Sequence, residues 1–204
     1  YDTQADPWEI NNLAKDPAHS KRLAKMREAT IAKMREIRDT GVVPESMYKE
    51  ISAKSTVYDY VNSKDFPYDD ILDLALAATG GRHLGKLQAA MKSDHPVKRY
   101  WGAIGCTIMG PEAAVAKGQL RSLLDDPRLQ VRIAASEALV TLGDRKAGIG
   151  GLTAVLKAST DEMVVLTALN TIEALDVRSE IAADVLKKAT SVKGYPSRIA
   201  TPIK

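Results

Sequence analysis

The sequence predicts an all-α chain whose C-terminal part is a short solenoid of stacked helical hairpins. Three observations carry this expectation. Breakers and aromatics are sparse: 204 residues hold nine prolines, thirteen glycines and 5% aromatics against 45% hydrophobic residues, a mixture that suits close-packed helices better than sheets. Apolar residues recur at intervals of three and four, the spacing of one helix face. The helix-closing positions Gly110, Gly143 and Asp176 are spaced by 33 residues, and a constant period of that length marks a repeat array.

Residues 1–16 contain two Asp-Pro steps, Asp6-Pro7 and Asp16-Pro17, with Asn11 and Asn12 between them. They read as turns, because a residue before proline is pushed out of the helical region. A long amphipathic helix should follow, with Asp16 as cap and Pro17 in the first position. Leu23, Met26, Thr30, Met34 and Ile37 lie on one face of it until Gly41 stops the run. Val42, Val43 and Pro44 make a short extended link, and residues 45–62 form a less regular segment.

From Pro67 onward the pattern repeats. Helices are expected over 69–78, broken by Gly80-Gly81, then over 84–91, 96–109, 112–124, 129–142, 149–156, 162–175 and 179–190. In the 33-residue register, Lys98, Val131 and Val164 coincide, as do Gly102, Ala135 and Ala168, then Cys106, Leu139 and Ile172, then Met109, Leu142 and Leu175. A hairpin of this size cannot bury its apolar side alone, whereas stacking on like neighbours makes a continuous core. Leu139 is expected in that interior. The domain division expected from this reading is 1–62, a tail with a long helix, and 63–204, the repeats.

Charge and cysteine content bound the function. Twenty-nine basic and 26 acidic residues give a net charge of +3, interspersed along the chain, so no field gathers nucleic acid. One cysteine excludes an internal disulfide. No apolar stretch of about 20 residues and no leader-like start is present, so neither a membrane span nor a signal segment is expected. The opening at Tyr1 without an initiator Met points to a processed protein or a fragment.

Asp126, Val131, Arg132, Ala135, Ala138, Leu139, Leu142 and Gly143 resemble the HEAT repeat. The resemblance implies a right-handed superhelix in which Asp126 and Arg132 form a polar ladder between layers, with Arg99 as the matching residue in the preceding layer. Ser93 stands at the acidic position of the first unit and Val165 at the Arg position of the last, so the ladder is expected to be short. Tyr1-Asp2, Asp6-Pro7-Trp8-Glu9 and Asn12-Leu13 resemble the segment ending the C-terminal region of sulfatases. Val42-Val43-Pro44-Glu45 and residues 99–105 are similar to bacterial sulfatases that carry HEAT units. The resemblance implies an accessory region lying after a sulfatase catalytic domain in cis. Calcium would be held by that upstream domain, and the location would be periplasmic or secreted.

The chemistry expected within this chain is meagre. A sulfatase nucleophile is a Cys or Ser in a Cys/Ser-x-Pro-x-Arg motif, whereas Cys106 is followed by Ile108 and Gly110 and reads as a small buried hydrophobe. His19, His83 and His95 are scattered and form no metal motif. Asp69-Asp70 and Asp125-Asp126 are adjacent and cannot share a helix face, so they read as caps. Gly148, Gly150 and Gly151 read as a turn with close helix contact. Trp101 is expected in an interior or interlayer position, and Arg99 as a bridge. No catalytic, cofactor or metal residues are expected, and a protein partner is expected on the repeat face. The rival readings are a free-standing HEAT-type scaffold and a helical-repeat enzyme, the latter requiring clustered polar residues that the columns do not supply.

Overall fold

The computed structural model describes residues 1–80 and 83–196; Gly81, one of the two glycines expected to break the first repeat helix, lies outside the described residues. The chain is all-helical, with no strand among the described residues. It divides into two compact units, Tyr1–Asp39 and Thr40–Lys204.

In the first unit, side-chain oxygens hold a series of turns. Asp2 Oδ1 accepts from the N–H groups of Gln4 and Ala5 at 3.1 and 3.2 Å, and Asp6 Oδ2 from Asn11 at 2.7 Å. Asn12 and Asp16 cap the 3-10 turns Leu13–Lys15 and Pro17–His19, as short acceptors do. Asp16 therefore caps the turn that leads into the long helix and not the helix itself, α1 (Ser20–Ile37). Arg38, at φ 48°, stops α1, and the Asp39 N–H closes onto the Met34 carbonyl at 3.1 Å. Gly41, the expected stop, lies instead in the 3-10 turn Thr40–Val42. The main-chain closure already satisfies the last carbonyls of the helix, so no glycine is required.

The second unit opens with the 3-10 turns Thr40–Val42 and Glu45–Met47, then α2 (Tyr48–Ser52) and α3 (Val57–Asn62), the latter capped by Thr56. The helices that follow are α4 (Tyr68–Gly80), α5 (Leu84–Ala90), α6 (Pro96–Met109), α7 (Lys117–Ser122), α8 (Leu129–Thr141), α9 (Arg145–Ala158), α10 (Glu162–Ala174) and α11 (Ala183–Thr190). Helix α6 packs on α4, α5 and α8, while α8 packs on α6, α7, α9 and α10. Helices α4, α6, α8 and α10 thus form a row in which each touches the next.

The 33-residue spacing has a backbone counterpart. Helices α6, α8 and α10 start at Pro96, Leu129 and Glu162, and the corners that close them have φ 67° at Gly110, 85° at Gly143 and 51° at Asp176. Glycine meets this left-handed requirement without strain, and aspartate tolerates it better than most residues. After two of the corners the same bond forms: Asp144 N–H to the Leu139 carbonyl at 2.7 Å and Val177 N–H to the Ile172 carbonyl at 3.1 Å. At the first corner the equivalent residue is Pro111, which has no N–H. The chain runs on there as the 3-10 stretch Gly110–Ala116, so the helix expected over 112–124 is reduced to α7 between two 3-10 segments.

The core follows the aligned columns. Ala135, Ala168, Cys106, Leu139 and Ile172 are all fully buried. A Cβ on Gly102 would stand 2.8 Å from Met91 Cγ and 2.9 Å from the Leu87 carbonyl, so α5 and α6 touch almost backbone to backbone. Gly148, Gly150 and Gly151 lie inside α9 and not in a turn before it. A Cβ at Gly148 would meet the Ser136 carbonyl of α8 at 2.5 Å. Gly148 and Gly151 serve close helix contact from within a helix that begins at Arg145, whereas a Cβ at Gly150 would meet nothing within 4 Å.

Candidate functional site: a helix row and its bound segment

Residues 40–62, grouped with the tail in the sequence reading, belong to the second unit. Val42, Val43, Met47 and Val61 are buried there. Trp101 of α6 donates from Nε1 to the Val42 carbonyl at 2.8 Å. Gln130 of α8, 2% exposed, donates from Nε2 to the Ser46 carbonyl at 2.6 Å. Lys49 Nζ pairs with Asp161 Oδ2 at 2.7 Å at the start of α10, and Glu50 pairs with Arg128 before α8. The segment then returns to the start of α6, where Tyr60 Oη lies 3.4 Å from His95 Nε2. It therefore crosses from α6 to α8 to the start of α10 and comes back to the start of α6. A cavity of about 370 Å³ remains beneath it, lined by Met47, Ile51 and Tyr60 on one side and by Val97 and Arg128 on the other.

The ionisable groups here are tuned mainly by burial. Burial works against the Asp161 carboxylate, yet the hydrogen bond from Lys49 and the N–H groups of Val164 and Met163 outweigh it and hold the pKa below the usual value. Burial pushes the His95 pKa down, with Lys98 and Arg99 adding to the effect. Its Nδ1 has no hydrogen-bond partner, and Phe66 meets its ring edge-on at 5.4 Å. Burial raises the pKa of Glu137 on α8 and, together with the Glu137 charge, that of Tyr100 on α6.

The residues singled out from sequence have definite places. Arg99 forks onto the Asp126 carboxylate through Nε at 2.6 Å and Nη2 at 3.0 Å, and its Nη1 donates to the Ser93 and Asp94 carbonyls, each at 2.9 Å. Arg132 reaches the Asp126 main-chain carbonyl at 2.5 Å. The interlayer carboxylate partner of Asp126 is thus Arg99, while Arg132 holds the turn before its own helix. Trp101 is half-buried between α6 and the bound segment, with the Tyr100 ring edge-on at 5.8 Å. Leu139 is fully buried. Asp70 lies in the first turn of α4 and pairs with Lys98 at 2.7 Å.

Cys106 is a free, fully buried thiol whose pKa is pushed up to about 11 by burial, which keeps it protonated and unreactive. His19, His83 and His95 stand apart, and the described residues contain no group of three or more His, Cys, Asp or Glu placed to hold a metal ion. No helix of the described residues is long and apolar enough to cross a membrane. The arrangement is one of hydrogen-bond donors aimed at the chain's own backbone, at the Val42 and Ser46 carbonyls. Sequence reasoning missed Gln130, although a signal existed: in the 33-residue register it falls between Val97 and Met163, a polar residue in an apolar column. No family model, curated protein or solved structure matches this chain.

Proposed function

We propose that this chain is the non-catalytic accessory region of a sulfatase-like hydrolase: a tail that docks on an upstream catalytic body, followed by a short right-handed stack of HEAT-like hairpins with a structural or protein-binding role. One observation carries the reading. No residue of Tyr1–Asp39 is buried, and Trp8, Ile10 and Met26 are 85, 77 and 62% exposed. An 18-residue helix is marginal by itself in water and draws most of its stability from packing one face, yet α1 has no buried side chain. A body that covers this face supplies what is missing, and the resemblance of residues 1–13 to a sulfatase tail names it. The helix starts and left-handed corners recurring every 33 residues support the HEAT-like part.

Hydrogen exchange tests the docking. The amides of α1 should exchange rapidly in residues 1–204 and become protected in a chain extended upstream through its formylglycine segment. Equal exchange in both would sink the docking claim and favour a free-standing scaffold. Residues 1–204 should also leave a generic aryl sulfate untouched with calcium supplied, because an activated nucleophile and a charge-stabilising site must be assembled together for hydrolysis. Turnover abolished by a point substitution within these residues would overturn the non-catalytic reading.

A further inference from the structure

We infer that the row formed by α6, α8 and α10 is a peptide-reading face, filled in this chain by its own residues 42–50 and open to exchange for a segment of a partner protein. The inference rests on the reading of the chain as an interaction module and names the chemistry of the partner. Three features support it.

The first is the kind of contact. Trp101 and Gln130 donate to main-chain carbonyls, those of Val42 and Ser46, so the row recognises a backbone more than particular side chains. Peptide-binding surfaces take affinity from main-chain bonds in this way and specificity from flanking pockets. The second feature is incomplete satisfaction. Gln130 is 2% exposed, yet its Oε1 has no partner. A carboxamide held against a peptide can donate to a carbonyl and accept from an N–H; here only the donation is made, and an unsatisfied buried acceptor is costly. A segment that also offered an N–H at this point would pair both ends of the carboxamide. The third is the fit: a cavity of about 370 Å³ is lined by Met47 and Glu50 of the segment and by Val97 and Arg128 at the starts of α6 and α8.

The partner segment follows from what the row offers. It carries two adjacent apolar residues where Val42 and Val43 lie and another at Met47, all three buried here. A free carbonyl is needed at the first and fifth positions, and an N–H must reach Gln130 Oε1. Beyond these come a basic residue for Asp161 and an acidic one for Arg128, the partners of Lys49 and Glu50.

The test uses the full chain with Trp8→Phe, which leaves Trp101 as the only indole, and with a protease recognition sequence inserted between Lys54 and Ser55, in the link between α2 and α3. After cleavage, a labelled synthetic peptide of residues 40–54 is titrated in while Trp101 emission and helix content are followed. Expected are saturable uptake of the peptide, displacement of fragment 1–54 and unchanged helix content of the remainder. Gln130→Leu should weaken uptake about tenfold, the effect of losing a hydrogen bond to a buried group. Trp101→Phe, which keeps the ring but not the donor, should weaken it as well, with uptake then read from the label. A peptide with Lys49 and Glu50 interchanged should bind several-fold more weakly, since both ion pairs become repulsions. If removal of fragment 1–54 abolishes cooperative unfolding of the remainder, or if the cleaved chain takes up no peptide, the segment is part of the fold and the inference fails. Neither failure touches the accessory reading, which is decided by the exchange of α1.

Discussion

Arg99 grips the Asp126 carboxylate with two nitrogens while its third holds the carbonyls of Ser93 and Asp94. One side chain thus ties the turn before its own helix to the turn before the next. The Asp126 side chain is 3% exposed and that of Arg99 13%, so neither charge can turn to water if its partner is removed. Asp126→Ala should cost about 3 to 5 kcal/mol in denaturant unfolding, the range for breaking a buried pair from one side. The double variant Arg99→Met/Asp126→Leu should cost less than Asp126→Ala alone. A double variant at least as damaging as the single one would mean that the pair contributes net stability.

Leu139 lies in the last turn of α8 with no exposed surface. Leu139→Ala should destabilise by about 2 to 5 kcal/mol, as truncation of a packed leucine does. A loss below about 0.5 kcal/mol would be incompatible with the face of α8 that packs inward.

The left-handed corners give a paired prediction of opposite sign. Gly143→Ala forces a Cβ into φ 85°, where nothing lies within 4 Å of it, so the cost is backbone strain alone, about 1 to 2 kcal/mol. Asp176→Gly relieves the same strain at φ 51° and should be neutral or stabilising by up to about 1 kcal/mol, since aspartate tolerates this conformation and glycine is the more flexible when unfolded. Thermal midpoints of the two variants check both signs.

His95 should make stability fall on acidification. Its pKa is lowered in the fold, so the unfolded chain binds the proton more readily. The contribution is fully present above the unfolded value of about 6.5 and is lost as pH falls from there through the folded value. Urea midpoints measured from pH 8 to pH 5 should decline in the lower half of that range, and His95→Phe should flatten the decline. An unchanged slope in that variant would assign the titration elsewhere.

Glu137 works in the other direction. Burial raises its pKa, so the fold favours the protonated form, and that contribution disappears as pH rises through the folded value. Glu137→Gln should therefore unfold at a higher urea concentration than the parent at pH 8, with a smaller difference at pH 4.

The all-helical fold and the 33-residue recurrence of helix starts and corners were legible because each rests on short-range constraints. The corners at Gly110, Gly143 and Asp176 need a particular φ, and the columns through Cys106 and Leu139 need a particular volume. Pro111 was legible too, but its consequence was not. Its missing N–H matters only once the bond made by Asp144 and Val177 in the other corners is known. The bound segment stayed hidden because Trp101 and Gln130 reach residues far away in sequence, and no local pattern encodes a donor aimed at a distant carbonyl. The sequence reading named Asp126, Arg99 and Arg132 together, but that Arg99 and not Arg132 takes the carboxylate is set by contacts between residues distant in sequence.

The order of anchors along residues 42–50 also fixes how the segment responds to force. Tension entering at Thr40 meets the Trp101 bond first, then the Gln130 bond, then the Lys49 ion pair, each on a different helix. The load falls on one bond at a time, so the segment peels like a zip and does not shear as a block. Pulling on the tail should release it in steps at low force while α6, α8 and α10 stay folded, a behaviour that single-molecule extension would register as short, early lengthening before any global unfolding event. Residues 42–50, at the start of the second unit, thereby act as a slack reserve, paying out length before those helices bear strain.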